Sequence, residues 1–154
     1  MDISSTVRLN NGVDIPLLGL GVYLSGSGSG TVNAVRWALD AGYRLINTAS
    51  MYGNEPEVGR AVRDSGVPRE NVFVITKLWN SDHGYGRATS AFHESNQRLG
   101  LGYVDLYLIH WPVEGLRNES WRALEDLYHQ GLCRAIGVSN YNIYHLEELL
   151  AACR

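Results

Sequence analysis

The chain has 154 residues, 45% of them hydrophobic and 19% charged, with a formal net charge of −3, which is a one-domain length with an ordinary globular composition. No basic cluster accompanies that charge, which excludes the electrostatic footprint of a nucleic-acid or anionic-membrane binder. The start Met1-Asp2-Ile3-Ser4-Ser5 lacks a basic and apolar leader, no apolar run approaches membrane-spanning length, and Cys133 and Cys153 have no metal-ligand spacing. A cytoplasmic protein without a metal site, its two thiols reduced and in the core, is the expectation.

In chain order, Asn10-Asn11-Gly12 is the first turn signal and reads as the bend of a small hairpin. Apolar runs that read as buried strands follow at Leu17 to Tyr23, Arg44 to Thr48, Val72 to Leu78, Val104 to His110 and Cys133 to Val138. Helical periodicity fills the gaps. Val32, Val35, Ala38 and Leu39 lead to Gly42; Val58, Ala61 and Val62 lead to Gly66; Phe92 to Leu99 stops at Gly100. Trp121, Leu124 and Leu127, after a cap expected at Asn118, stop at Gly131, and Ile143, Leu146, Leu149 and Leu150 mark a fifth helix. Glycine after each of the first four helices is a normal stop, because it accepts the left-handed backbone that ends a helix.

The strand starts recur every 27 to 32 residues, so one strand-helix unit repeats five times and predicts a parallel sheet with crossover helices. Two architectures fit: an open doubly wound sheet, or part of a (β/α)8 barrel, which needs about 250 residues. The pattern leaves both open. Gly26-Ser27-Gly28-Ser29-Gly30 resembles a phosphate-cradling turn only weakly and reads as a flexible polar loop.

Chemistry gathers at the strand ends. Lys77 is the single lysine against twelve arginines and closes the third apolar run. Arginine stays charged everywhere, whereas a lysine ammonium responds to burial and neighbours. Asn47 and Tyr52 follow the second strand, His110 and Trp111 end the fourth, and Ser139 and Asn140 end the fifth. Singly, each has an ordinary packing or capping explanation. Together, a lysine that lowers a phenol's pKa and a histidine that hydrogen-bonds a substrate oxygen can protonate a carbonyl oxygen as hydride reaches its carbon.

The segments Gly42-Tyr43-Arg44-Leu45-Ile46-Asn47-Thr48-Ala49, Tyr52-Gly53-Asn54-Glu55 and Val58-Gly59 resemble the first signature of the aldo-keto reductases. Gly102 to Pro112 resembles the segment around that family's histidine, and Ile136 to Tyr141 its fifth-strand motif. The resemblance implies a (β/α)8 TIM barrel, of which this chain holds about five units behind an N-terminal hairpin, so that residues 1–154 read as one truncated domain. It further implies NADPH-dependent reduction of aldehydes or ketones. Tyr52 would be the proton donor, Lys77 its tuning group and His110 the group orienting the carbonyl. Ser139 and Asn140, with Asn47, would hold the cofactor, and Trp111 and Tyr23 would line a pocket with His110. The short connection from Pro112 to Trp121 resembles the branch of diketogulonate and glyoxal reductases and favours small polar carbonyl substrates.

Two departures carry expectations of their own. Asn47 stands where the family has an aspartate paired to the lysine, so Lys77 should lose an opposite charge and its pKa should fall; a still-charged Lys77 should depress the Tyr52 pKa, and a neutral one should give it no such help. Three barrel strands and the segments that grip the cofactor's phosphates and adenosine are absent, which leaves sheet edges open. The alternative expectation is therefore an inactive half-barrel that self-associates through those edges or serves as a binding remnant.

Overall fold

The computed structural model describes residues 2–153. Strands β1 (Thr6–Arg8) and β2 (Asp14–Pro16) form an antiparallel hairpin. Its turn is the predicted one, closed by Leu9 N–H on the Val13 carbonyl at 2.8 Å, with Gly12 at φ +86°. There follow β3 (Leu20–Gly21), α1 (Ser29–Asp40), β4 (Leu45–Asn47), α2 (Glu55–Asp64), β5 (Phe73–Leu78), α3 (Tyr85–Leu99), β6 (Val104–Ile109), α4 (Arg117–His129), β7 (Cys133–Val138) and α5 (Ile143–Ala152).

The five later strands pair in parallel in the order β3-β4-β5-β6-β7. Each strand lies beside its successor and the order never reverses. A doubly wound sheet has a reversal point between its halves, whereas a barrel winds in one sense. The choice that the repeat spacing left open therefore falls to the partial barrel.

Alternation along the strands sends residues to two different environments. On the outer face Ile46, Val74, Leu78, Tyr107 and Ile109 pack with Val35 and Leu39 of α1, Val58 and Val62 of α2, Phe92 of α3 and Leu124 of α4. Leu45, Phe73, Ile75, Leu106 and Ala135 line the inner face, and Leu9, Val13 and Ile15 of the hairpin cover them. Asn11 Nδ2 fastens the hairpin turn to the Arg134 carbonyl at 2.9 Å. The hairpin thus seals the end where the strands begin and leaves the end where they finish for chemistry.

Close approach fixes the helix layer at one point. A methyl group at Gly59 on α2 would overlap the Leu99 carbonyl of α3, so only glycine allows that contact. Beside it, Glu55 at the start of α2 is buried, accepting from Thr76 Oγ1 at 2.5 Å and pairing with Arg98 Nε at 2.7 Å.

Four expectations shift. The first strand contracts from residues 17–23 to Leu20–Gly21, because Leu17 and Leu18 lie exposed and only two residues pair with β4. Helix α4 begins at Arg117, so Asn118 lies within its first turn and donates to Glu148 Oε1 at 3.0 Å rather than capping. The glycine-serine loop is tethered, with Gly28 N–H on Glu57 Oε1 at 3.0 Å and Thr31 Oγ1 on the Gly26 carbonyl at 2.5 Å. Cys133 is buried but Cys153 is exposed, so only one thiol belongs to the core. No helix among the described residues is long and apolar enough to cross a membrane.

Candidate active site

Phe73, Ile75 and Lys77 share the inner face of β5, so the strand that carries two apolar residues at the sealed end delivers an amine at the open end. Lys77 is 5% exposed. Its Nζ donates to Asn47 Oδ1 at 2.5 Å and to the Thr48 carbonyl at 2.9 Å, both at the end of neighbouring β4. The third contact is Tyr52 Oη at 3.5 Å, with Nζ also 5.1 Å from that ring's centre.

Tyr52 comes from a single 3₁₀ turn, Ser50–Tyr52, directly after β4. Ser50 Oγ ties the turn to the Lys77 carbonyl at 2.9 Å, and Gly53 at φ +67° ends it. Behind it, buried Asn54 accepts from Thr48 Oγ1 at 2.7 Å and donates to the Val22 carbonyl at 2.9 Å, joining the ends of β3 and β4. Phenol and amine are therefore set by backbone that is bonded on both sides.

His110 follows β6, its N–H bonded to the Leu78 carbonyl at 3.1 Å. Its ring stands edge-on to Tyr52 at 5.8 Å and to Trp79 at 5.1 Å, and Tyr23 leans on Tyr52 at 4.9 Å. After β7, Asn140 takes a left-handed backbone, φ +61°, which asparagine tolerates better than most residues. Its Nδ2 donates to the His110 carbonyl at 2.9 Å and to Ser139 Oγ at 3.0 Å. The fifth-strand motif thus braces the histidine segment. Trp111 lies beyond this row, 46% exposed at the rim.

Burial lowers the Lys77 pKa to about 8, as its lack of an anionic partner predicts. Burial, then the Lys77 charge, lowers that of His110 and favours the neutral imidazole. The Tyr52 phenol is pushed up, by burial first and Tyr23 second, and so follows the branch in which Lys77 gives it no help. A phenol that titrates above an amine of pKa about 8 meets that amine already neutral.

The structure brings together Asn47, Tyr52, Lys77, His110 and Tyr23, and places Ser139 and Asn140 one hydrogen bond behind His110. Trp79, Ser50 and Asn54 complete the arrangement and were not singled out in the sequence; the signal for Trp79 was its place two residues beyond Lys77, at the same strand end. No cluster of three or more His, Cys, Asp or Glu side chains placed for a metal occurs among the described residues. A phenol, an amine and a neutral imidazole at the finishing ends of parallel barrel strands are groups that can exchange protons with an oxygen placed among them.

Residues 18–153 match the aldo/keto reductase family. The chain belongs to that family. It is 54% identical over 148 residues to the 9,11-endoperoxide prostaglandin H2 reductase of Trypanosoma cruzi (strain CL Brener), covering 96% of this chain and 52% of that protein. It is 49% identical over 148 residues to the glyoxal reductase of Bacillus subtilis (strain 168), covering 96% of this chain and 54% of the relative. Among solved structures, a Bombyx mori aldo-keto reductase in complex with NADP superposes with a TM-score of 0.90 at 36% identity, over 97% of this chain and 55% of that one. The chain spans about half the length of the curated relatives it matches. As a family member the chain has the fold of a partial barrel.

Proposed function

We propose that this aldo-keto reductase chain carries the proton-handling half of an NADPH-dependent site that reduces a small aldehyde or ketone to an alcohol. The nicotinamide, when bound, supplies hydride to the carbonyl carbon. Tyr52, which its raised pKa keeps protonated, gives its proton to the oxygen, and neutral His110 holds that oxygen. Lys77 stands behind the phenol to stabilise the charge that develops there. Tyr23 and Trp111 form the rim. The observation that carries this reading is the Tyr52 hydroxyl, within 3.5 Å of Lys77 Nζ and beside the His110 ring.

The nicotinamide end of the cofactor fits the residues present. Asn140 commits its amide hydrogens to His110 and Ser139, which leaves Oδ1 free to accept from a carboxamide, while the Ser139 hydroxyl can donate to its oxygen. The Bombyx mori enzyme's complex with NADP and the glyoxal reductase relative support the cofactor and substrate class. Asn47, neutral beside Lys77, makes turnover weaker than a carboxylate there would. Buried Cys133, its thiol pushed up to about 12, and unpaired Cys153 are compatible with a reducing, cytoplasmic setting.

Titration of the chain with NADPH, followed through its tryptophan fluorescence, tests this directly. Saturable quenching is the expected result, and a flat titration sinks the reading. A second reading, a self-associating half-barrel without turnover, draws on the groove of about 560 Å³ beside β7, lined by Leu106, Leu108, Leu149 and Leu150. Sedimentation of a folded monomer at micromolar concentration would dispose of it.

A further inference from the structure

We propose that Lys77 is itself a carbonyl-capturing nucleophile: its neutral amine condenses with an aldehyde held against Tyr52 and His110 to form an imine, releasing water, with no nicotinamide involved. The proposal rests on reading this cluster of side chains as a carbonyl site, and it adds a second, covalent outcome for the same substrate class.

The three hydrogen-bond partners of Lys77 Nζ are an amide oxygen, a backbone carbonyl and a phenol, none of them an anion. An ammonium would donate to all three. A neutral amine has two N–H groups and one lone pair. The two shorter contacts, Asn47 Oδ1 at 2.5 Å and the Thr48 carbonyl at 2.9 Å, are pure acceptors and take the two N–H groups. The lone pair is then left facing Tyr52 Oη, the longest contact at 3.5 Å and the only partner that can donate to it. Thus the arrangement that satisfies the neutral amine also turns its nucleophilic side toward the phenol and the His110 ring.

Nearby carboxylates do not reach the amine. Glu55 bonds Thr76, which alternates with Lys77 and so lies on the opposite face of β5, and Arg98 pairs with it. Asp105 is held by Arg69 and Arg134 beside Val74, nearer the sealed end. The titratable groups that do face Lys77 are Tyr52 and His110, both biased by burial toward their neutral forms. The amine's own pKa of about 8 leaves roughly a tenth of it unprotonated at pH 7.

The chemistry balances without a co-reactant. The Nζ lone pair adds to the carbonyl carbon as the C=O π pair moves to oxygen. Tyr52 supplies a proton to that oxygen and recovers one from nitrogen, giving a carbinolamine. Loss of its hydroxyl as water, with the second nitrogen proton, closes the C=N bond. Nothing is oxidised or reduced.

A chain with one lysine makes the test unambiguous. The full chain, without NADPH, is treated with propanal and sodium cyanoborohydride, then cut after arginine and analysed by mass spectrometry. Lys77 falls in the peptide 70–87, and the only other amine, the α-amino group, in peptide 1–8. Labelling of peptide 70–87 with an initial rate that rises through about pH 8 is the expected result. Asn47→Asp, which restores an ion pair, should slow that labelling at pH 7 by at least about tenfold, because it returns the pKa toward the ordinary lysine value. Label confined to peptide 1–8, or an Asn47→Asp rate equal to the parent's, overturns the proposal. Because the assay omits NADPH, its failure leaves the reductase reading standing, and a chain that fails to bind NADPH can still be labelled.

Discussion

Where the strands begin, Asp105 is fully buried yet sits between Arg69 and Arg134, each at 2.8 Å, and also accepts the Val74 N–H at 2.9 Å. Lys77, where they finish, is almost as deeply placed and has only neutral partners. A charge supplied with counter-charges and hydrogen bonds can stay ionised inside a protein, whereas an unpaired one shifts its pKa toward neutrality. The sealed end is thus built to hold a charge, and the open end to exchange a proton.

The strongest way to break this contrast is to remove each charge in turn. Asp105→Ala leaves two guanidinium groups without their anion and Val74 without an acceptor, and should cost about 3 to 5 kcal/mol in urea denaturation. Lys77→Met, by comparison, takes away a charge that nothing neutralises, and should change stability by no more than about 1 kcal/mol. An equal loss in the two variants would mean that Lys77 is compensated after all.

pH sharpens the contrast further. The folded Lys77 pKa of about 8 lies below its ordinary 10.5, so between those values the unfolded chain binds more protons than the native one. Stability from this group is therefore least below about pH 8, rises through the window and is level above 10.5. Denaturation midpoints of the parent minus those of Lys77→Met should show that rise, and a flat difference would contradict the assigned shift. Smallest in stability is Tyr52→Phe, with a change below about 0.5 kcal/mol, since the hydroxyl's contact is the long one to Lys77. Carbonyl reduction should nevertheless fall by a factor on the order of a hundred or more in the same variant, if Tyr52 is the proton donor.

Strands β5, β6 and β7 were the most legible part of the sequence and agree with their apolar runs to within a residue. β5 and β6, inside the sheet, are buried on both faces and so carry continuous hydrophobic sequence. The edge strand β3 misled, since Leu17 and Leu18 are apolar without being buried. Capping was partly hidden: helix α5 is capped by Asn142, whose box is completed by His145 in place of the usual Glu or Gln. At the site, Asn47, Tyr52, Lys77 and His110 were visible because strand ends gather on one face. Trp79 and Asn54 were not, because an edge-on ring contact and a bond to the Val22 carbonyl belong to tertiary packing. The direction of the Tyr52 shift stayed open for a related reason: residue types reveal the neighbouring amine but neither its charge state nor how much water the phenol loses.

The glycine seam between α2 and α3 gives this architecture a mechanical weak point on its far side. Gly59 lets α2 lie against the Leu99 carbonyl, and the same helix opens with Glu55, clamped to Thr76 next door to Lys77, three residues after Tyr52. A methyl group at position 59 would force α2 and α3 to shift at that contact, and Tyr52 lies in the turn just before α2. The placement of the phenol beside the amine is therefore sensitive to a single hydrogen atom in the seam between two helices, away from the site itself.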